Sequence, residues 1–318
     1  MSRRKVLITG SCGFVLGNFL RKAIYEKLPY QFISVDKVRA DSPNSMYWNK
    51  NHIFYIADVT DQHIMDSIFQ LETPDIVIHG AGERSTDKSF KDPNLIINSN
   101  VLGTQAILNS CVKYNVEKIV YISTDQVYGQ LSSENDTSWK EDDLVNPRNL
   151  YAVTKASAEM LIKTACQSSK LNYNILRTSN IYGPRQTADK LIPKTIKSIT
   201  NQQDISVYGQ GLQMRDWLHA FDFSSALISI LNKGVNNEIY NISSGQEFTN
   251  IEVIQKVCNS MESGYNLVRF VEDRPLNDFR YSMNSSKIRN LGWKPQFKLS
   301  EGIHQSVEWY KFNQWFIK

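Results

Sequence analysis

The sequence of 318 residues contains few of the side chains that bind metals or form disulfides. It has five histidines and four cysteines, and the cysteines lie far apart, without a Cys-x-x-Cys pair or a cluster with histidine. This spacing excludes the usual zinc and dithiol motifs and favours reduced thiols. We therefore expect no metal site. The four cysteines are Cys12, Cys111, Cys166 and Cys258.

Long apolar runs are also absent. No stretch reaches the roughly 20 apolar residues that cross a membrane, and the run that follows the basic start ends after Val6–Ile8, too short for the core of a signal peptide. The net charge is only +4, with both signs interspersed, so no basic surface for nucleic acid is indicated. We expect a cytoplasmic protein without a membrane or nucleic-acid partner.

Short β-branched segments alternate with amphipathic helical ones in the first half of the chain. Nearly all-apolar strands separated by helices are typical of a parallel sheet buried on both faces. The sequence thus predicts a doubly wound, Rossmann-type α/β fold. The predicted strands are Lys5–Thr9, Gln31–Val35, Ile53–Ala57, Asp75–His79, Lys118–Ser123 and Tyr173–Arg177, and the predicted helices are Asn18–Lys27, Asp61–Phe69, Asn94–Tyr114 and Tyr151–Ser168.

The regular alternation weakens after Arg177, where turn residues become frequent. We predict an NAD-binding domain at residues 1–178, to which residues 213–242 return. Residues 179–212 and 243–318 are predicted to form a smaller domain that binds the substrate.

A glycine turn follows the first strand and opens the first helix. In Gly10-Ser11-Cys12-Gly13, the glycines allow backbone N–H groups and the positive helix end to approach a pyrophosphate. Asp36, at the end of the second strand, is placed to bind the adenine ribose, and its charge favours NAD over NADP. Asp58 is a candidate adenine contact. The usual third glycine is replaced by Leu16, which we expect to push the helix slightly away from the strand.

A Tyr-x-x-x-Lys pair, Tyr151 and Lys155, begins a predicted helix, so both side chains share one face. An ammonium beside a phenol favours the phenolate, and we expect Lys155 to lower the pKa of Tyr151. Such a tyrosine can remove a proton from a sugar hydroxyl while hydride leaves the same carbon.

These features, with several further segments, resemble the extended short-chain dehydrogenase/reductase family, and within it the nucleotide-sugar 4,6-dehydratases. The resemblance covers nearly the whole chain. Its segments are Ile78–Glu83 with Asp87–Ser89, Asn98–Gly103, Tyr121–Gly129, Asn180–Pro184, Lys190–Pro193, Gly209–Leu218, Asp273–Tyr281 and Leu291–Pro295.

The resemblance implies NAD as cofactor, a nucleotide-sugar substrate and three groups of site residues. The catalytic group is Thr124, Asp125, Gln126, Tyr151 and Lys155. The cofactor-binding group is Gly10, Cys12, Gly13, Phe14, Val15, Asp36, Lys37, Asp58, Val59, Ala81, Gly82, Asn100, Tyr151 and Lys155. The substrate-binding group is Glu83, Ser85, Asn180, Lys190, Leu191, Tyr208, Arg215, Asn250, Arg274, Asn277 and Tyr281.

The resemblance also implies a reaction. Tyr151 and NAD oxidise C4 of the sugar, Thr124 helps to hold the C4 oxygen, Asp125 protonates the departing C6 hydroxyl, and hydride returns to C6. The net change is loss of water, so the enzyme is a lyase. Arg215, Lys190 and Arg274 are expected to hold the diphosphate, because guanidinium and ammonium groups pair well with phosphate oxygens.

Gln126 departs from the family pattern, which has a glutamate base at this position. An amide cannot accept the C5 proton, so three alternatives stay open. A dehydratase could use Glu83 or a bound water as base; a 4-epimerase or a decarboxylase would have no need of the glutamate; and a non-catalytic relative would only bind the nucleotide. We favour the dehydratase, because sugar epimerases have no use for an acid such as Asp125.

Two further expectations concern the substrate and the assembly. The run Arg274–Asp278 resembles UDP-glucose dehydratases, which weakly favours UDP-glucose over dTDP-glucose. The predicted helices at residues 94–114 and 151–168 correspond to those through which family members dimerise. We therefore expect a homodimer, although the apolar residues of these helices would equally suit a core. They include Ile96, Leu102, Ile107, Met160 and Leu161.

Overall fold

A computed structural model describes residues 3–38, 52–84, 92–273 and 278–317 of the chain. The strands are β1 Arg4–Thr9, β2 Tyr30–Asp36, β3 His52–Ile56, β4 Ile76–His79, β5 Lys118–Thr124, β6 Asn172–Thr178, β7 Asn180–Tyr182, β8 Ile205–Tyr208, β9 Met214–His219, β10 Glu238–Ile242, β11 Glu247–Thr249, β12 Val268–Val271 and β13 Arg280–Tyr281.

The helices separate these strands. They are α1 Phe14–Tyr25, α2 Gln62–Glu72, α3 Pro93–Ile97, α4 Gly103–Lys113, α5 Leu150–Gln167, α6 Leu191–Thr200, α7 Ala220–Lys233, α8 Asn250–Met261, α9 Ser286–Arg289 and α10 Leu299–Phe312. A π-helical turn, Asn98–Leu102, joins α3 to α4, and short 3₁₀ turns lie at Asp125–Tyr128, Tyr265–Leu267 and Gln314–Phe316.

Seven parallel strands form the central sheet, in the order β10-β6-β5-β4-β1-β2-β3. The order reverses at β1, as it does in doubly wound nucleotide-binding sheets. The predicted fold class is confirmed. All six predicted strands are present, and the first helix begins at Phe14, four residues earlier than expected, because Gly13 already acts as its N-cap.

Helices cover both faces of the sheet. Successive side chains of a strand point in opposite directions and therefore pack on opposite faces. In β1, Val6 and Ile8 pack in the cluster that includes α1 and α7, whereas Leu7 packs in the opposite cluster with α2, α4 and α5. A third apolar cluster joins α6, α8 and α10. The smaller part of the chain therefore has a core of its own.

The chain returns to the central sheet after residue 213. Strand β10 pairs with β6 at the edge of the sheet, and α7 packs beside α1. Strands β7, β9, β11 and β13 form a second small sheet, and β8 pairs with β12. The predicted division into domains stays a prediction. Residues of both predicted domains line the cavity described below.

Candidate active site

A cavity of about 1020 Å³ lies at the carboxyl ends of the parallel strands. Open α/β sheets bind ligands at this edge, where loops from neighbouring strands converge. Sites that enclose a drug-sized ligand span roughly 300–1,000 Å³. The volume lies at the upper end of this range and therefore suits a large ligand.

The glycine turn forms one wall of the cavity. Gly10 has a left-handed backbone, with φ of +73°, and a Cβ there would lie 2.7 Å from the backbone nitrogen of Ala81. A larger residue would thus collide with the loop after β4. The Gly10 N–H donates to the carbonyl of Val35 at 2.9 Å, which ties the turn to β2.

Asp36 also holds this turn. Its carboxylate accepts hydrogen bonds from the backbone N–H groups of Cys12, at 2.8 Å, and Val38, at 3.1 Å. Burial raises the pKa of Asp36 and raises the pKa of the Cys12 thiol to about 12. The backbone N–H of Cys12 is therefore engaged by Asp36, and the thiol is protonated at neutral pH.

Leu16 takes the place of the third glycine without disturbing the parallel pairing of β1. Its side chain is buried over Gly80, where a Cβ would lie only 2.5 Å from Leu16 Cδ1. The outward push expected on the helix is avoided, because the residue opposite Leu16, at the end of β4, is the small Gly80.

Asn100 shapes the loop that follows β4. Its side-chain oxygen accepts from the Glu83 N–H at 2.8 Å, and its amide donates to the Glu83 carbonyl and to Thr154 Oγ1, both at 3.0 Å. Asn100 is buried in the π-helical turn, a feature frequent at functional sites. Its hydrogen bonds thus position residues 81–83, which line the cavity.

Tyr151 and Lys155 both line the cavity from α5, as their spacing predicts. Tyr151 lies beside Thr124. Lys155 Nζ donates to the carbonyl of Ile122 at 2.6 Å and lies 4.0 Å from the ring centroid of Tyr121. Burial lowers the pKa of Lys155 to about 7, against the opposing effect of Glu159.

The expectation that Lys155 lowers the pKa of Tyr151 is wrong for this arrangement. Burial and the neighbouring Asp125 raise the pKa of Tyr151 to about 12, and the cation that opposes them is Arg84. The reason is that Lys155 itself is buried and directed at the Ile122 carbonyl.

The turn after β5 carries the other predicted catalytic groups. Asp125 is buried, accepts from Thr124 Oγ1 at 3.1 Å, and has its pKa raised to about 7, mainly by burial. Such a carboxyl is partly protonated at neutral pH and can donate a proton.

Gln126 is tied to the helix that carries Tyr151. Its side-chain oxygen accepts from Asn149 Nδ2 at 3.1 Å, and Asn149 caps α5 by accepting from the Ala152 N–H at 2.9 Å. Gln126 lines the cavity with Asp125. The glutamine is therefore part of the site, held by an amide partner.

Arg215 lines the cavity and also binds the backbone of a neighbouring segment. Its guanidinium donates to the backbone carbonyls of Met214, Phe279 and Asp278 at 2.6–3.1 Å, and it lies 4.7 Å from the ring centroid of Tyr281. Tyr281 donates to Asp278. Arg215 and Tyr281 line the cavity, and Arg215 also fixes the segment at residues 278–281.

Nearly all of the predicted site residues that the structure describes line this one cavity. Phe14, Val15, Lys37, Asp58, Val59, Ala81 and Gly82 line the cavity on the cofactor side, and Glu83, Asn180, Lys190, Leu191 and Asn250 line it elsewhere. Ser85, Arg274, Asn277 and the matched run Asp87–Ser89 lie outside the described residues.

Tyr208 is an exception, because it does not line the cavity. It ends β8, which pairs with β12 away from the central sheet, and its ring lies 6.0 Å from Lys194 Nζ. The substrate contact expected at Tyr208 therefore stays a prediction.

Lining residues that were not foreseen include Arg84, Gln186 and Asn149. Arg84 donates to Thr187 Oγ1 at 2.8 Å, Gln186 donates to the Ile181 carbonyl at 2.8 Å, and Asn149 holds Gln126. Asn149 could have been found, since asparagine just before a helix is a common N-cap. Arg84 and Gln186 carry no local signal, because long-range folding brings them to the cavity.

The described part of the chain contains no cluster of three His, Cys, Asp or Glu residues suited to a metal ion. None of its helices combines the length and hydropathy of a membrane crossing. The cytoplasmic location stays a prediction.

Comparison with known proteins identifies the family. Residues 6–243 match the model of the NAD dependent epimerase/dehydratase family. The chain belongs to this family, and the family, the Rossmann-type fold and the NAD cofactor expected from the sequence are confirmed. The glycine turn and Asp36 suit this cofactor, since the glycines permit a close approach of the backbone and Asp36 supplies a carboxylate.

Individual relatives narrow the class. The dTDP-D-glucose 4,6-dehydratase of Mus musculus is 35% identical over 98% of this chain and 90% of the relative. DesIV, a dTDP-glucose 4,6-dehydratase from Streptomyces venezuelae whose structure contains NAD, is 30% identical, with a TM-score of 0.92 over 99% of both chains. The UDP-glucose 4-epimerase of Thermotoga maritima is 26% identical, with a TM-score of 0.90 over 98% of this chain and 99% of that one. The expected enzyme class, a nucleotide-sugar 4,6-dehydratase, is that of the first two.

Proposed function

We propose that the protein is a nucleotide-sugar 4,6-dehydratase that acts on dTDP-glucose. The observation that carries this proposal is the buried Asp125 beside Thr124 and Tyr151, because elimination of water needs a proton donor at this place. The names of the relatives at 30–35% identity support dTDP-glucose as substrate. They give no support to the weak sequence-based preference for UDP-glucose.

The residues divide the reaction among them. Tyr151, beside Thr124, takes the proton of the sugar C4 hydroxyl. Because its pKa is raised, Tyr151 needs nearby positive charge to lose its own proton, and Arg84 is the cation that supplies it. Bound NAD supplies the hydride acceptor for C4 and the hydride donor for C6. Asp125 protonates the departing C6 hydroxyl.

The proton on C5 requires a base other than Gln126. Glu83 is a carboxylate that lines the same cavity, and its backbone is fixed by Asn100. We assign it this role, with a bound water as the alternative. Losing a general base typically costs about 10²–10⁴ in rate, which slows an enzyme without abolishing its reaction.

A 4-epimerase is the second candidate, and Gln126 is the observation that favours it. Epimerisation needs hydride transfer at C4 without removal of the C5 proton. The solved epimerase at 26% identity shares the fold over nearly the whole chain, so the fold alone does not separate the two activities.

Incubation of the purified protein and NAD with dTDP-glucose, UDP-glucose or UDP-galactose separates the candidates. We expect a 4-keto-6-deoxy product, detected by mass spectrometry as the loss of one water, with dTDP-glucose preferred. A C4 epimer of unchanged mass would favour the epimerase, and no conversion of any sugar would refute both.

The variant Gln126→Glu tests the role of the amide in the same assay. We expect dehydration to be preserved or to rise by up to about 10²-fold, because a carboxylate restores a base and can still accept from Asn149. Gln130→Glu is the matched control: Gln130 lies outside the cavity lining and accepts from the Phe279 N–H at 3.0 Å. A sharp loss in Gln126→Glu alone would show that the glutamine has a positive role of its own.

We propose, as a further part of this function, that the protein is a homodimer. Ile96 and Ile107 are fully buried and belong to the core, whereas Leu102 and Met160 are 54% and 57% exposed on the surface of the helical layer. These exposed apolar side chains support the dimer. A monomeric mass by light scattering at micromolar concentration would exclude it.

A further inference from the structure

A buried histidine lies directly behind the cofactor wall of the cavity. His79 ends β4 and is fully buried, as are Thr9 in β1 and Thr104 in α4. Its Nδ1 lies 2.6 Å from Thr9 Oγ1, and its Nε2 lies 3.0 Å from Thr104 Oγ1. His79 therefore does more than fill space in the core, because both of its ring nitrogens have a hydrogen-bond partner.

The partners determine where each proton lies. The Thr104 hydroxyl donates to the carbonyl of Asn100 at 2.6 Å, so towards His79 it can only accept. Nε2 of His79 therefore carries the hydrogen. Burial lowers the pKa of His79 to about 3, which leaves Nδ1 without a proton and able to accept from Thr9.

The result is a chain of hydrogen bonds with one direction. The Ala81 N–H donates to Thr9 Oγ1 at 3.3 Å, Thr9 donates to His79, His79 donates to Thr104, and Thr104 donates to the Asn100 carbonyl. Asn100 in turn holds both backbone groups of Glu83 through its side chain. The chain thus attaches the loop at residues 81–83 to the protein interior from both of its ends.

We propose that His79 is a positioning residue for NAD binding, which acts by holding residues 81–83 against the glycine turn. Ala81 and Gly82 line the cavity, and the Ala81 backbone lies against Gly10. The inference rests on the placement of NAD in this cavity. His79 itself does not line the cavity.

The variant His79→Phe keeps the size of the ring and removes both hydrogen bonds. We expect the Kd for NAD to rise about tenfold or more, since two linked buried hydrogen bonds are lost, while kcat at saturating NAD changes less than threefold. His79→Asn should fall between the two proteins, because its side-chain oxygen can take the place of Nδ1 and accept from Thr9.

His52→Phe is the matched control. His52 in β3 is also buried and bonded, with Nε2 2.7 Å from Ser34 Oγ, and burial lowers its pKa to about 4. Its partner Ser34 lies in β2, however, and not in the loop at residues 81–83. We expect His52→Phe to lower the melting temperature without changing the Kd for NAD. Equal changes in Kd for the two variants would overturn the inference.

Hydrogen exchange without any ligand gives a second, independent readout. In His79→Phe the Ala81 and Glu83 amides should exchange faster, while the amides of β1 and β5 keep their protection. Unchanged exchange at Ala81 and Glu83 would overturn the inference. Failure of the unaltered protein to bind NAD would instead refute the proposed function, so the two failures can be told apart.

Discussion

The two ends of the cavity are built from different parts of the chain. At the cofactor end the wall is largely backbone: the glycine turn and the loop after β4, held by Asp36, Thr9 and Asn100. At the other end, proposed for the substrate, the wall is made of long side chains. Arg215, for example, donates to the carbonyl of Asp278 and packs on the ring of Tyr281. A backbone wall depends on where glycines fall, whereas a side-chain wall depends on contacts between distant segments.

Tyr151→Phe gives the largest expected effect and separates chemistry from both ends. We expect turnover to fall by about 10²–10⁴-fold, because the phenol that accepts the C4 proton is lost, while the Kd for NAD stays within twofold. Steady-state rates and direct NAD titration measure the two quantities. Tyr265→Phe, at an exposed tyrosine outside the cavity, should leave both unchanged. Normal turnover in Tyr151→Phe would refute the proposed mechanism.

Arg215→Lys tests the substrate end. Lysine cannot reproduce the planar set of bonds to the carbonyls of Phe279 and Asp278, so we expect KM for the nucleotide sugar to rise about tenfold and the Kd for NAD to stay unchanged. The control is Arg269→Lys, because Arg269 also donates to backbone carbonyls but lies on the exposed surface. A matching loss of NAD affinity would show that the two ends are not independent.

Asp125 gives the smallest expected effect on activity, through pH. Its pKa is about 7, so the protonated fraction falls as pH rises, and kcat should drop about fivefold between pH 7 and pH 8. The same shift lowers stability as pH rises from about 4 to 7, because the folded state keeps a proton that the unfolded state releases.

Asp125→Asn checks the second half of this prediction. The gain in its free energy of unfolding, relative to the unaltered protein, should grow between pH 4 and pH 7 and stay constant above that. Urea unfolding at several pH values measures it. A gain that does not depend on pH would mean that the pKa of Asp125 is not raised.

Much of the cofactor end was predictable because it depends on local patterns. Gly10, Gly13 and Asp36 follow strands that are recognisable by their apolar runs, and the carboxyl ends of parallel strands must meet at one edge. Tyr208 could not be placed in this way, because β8 pairs with β12 in a separate sheet. Arg84 and Gln186 were missed because contacts between distant parts of the chain bring them to the cavity.

The sequence by itself indicated the first six strands, the glycine turn after the first of them, and the shared helix face of Tyr151 and Lys155, because apolar runs, glycine positions and a spacing of four residues are local features. The tertiary structure alone decided the ionisation and partners of the site. Burial raises the pKa of Tyr151 and lowers that of Lys155. Gly80 makes room for Leu16, and the Thr9–His79–Thr104 chain joins three elements. Desolvation and hydrogen bonding depend on what surrounds a group, and residues far away in the chain supply those surroundings.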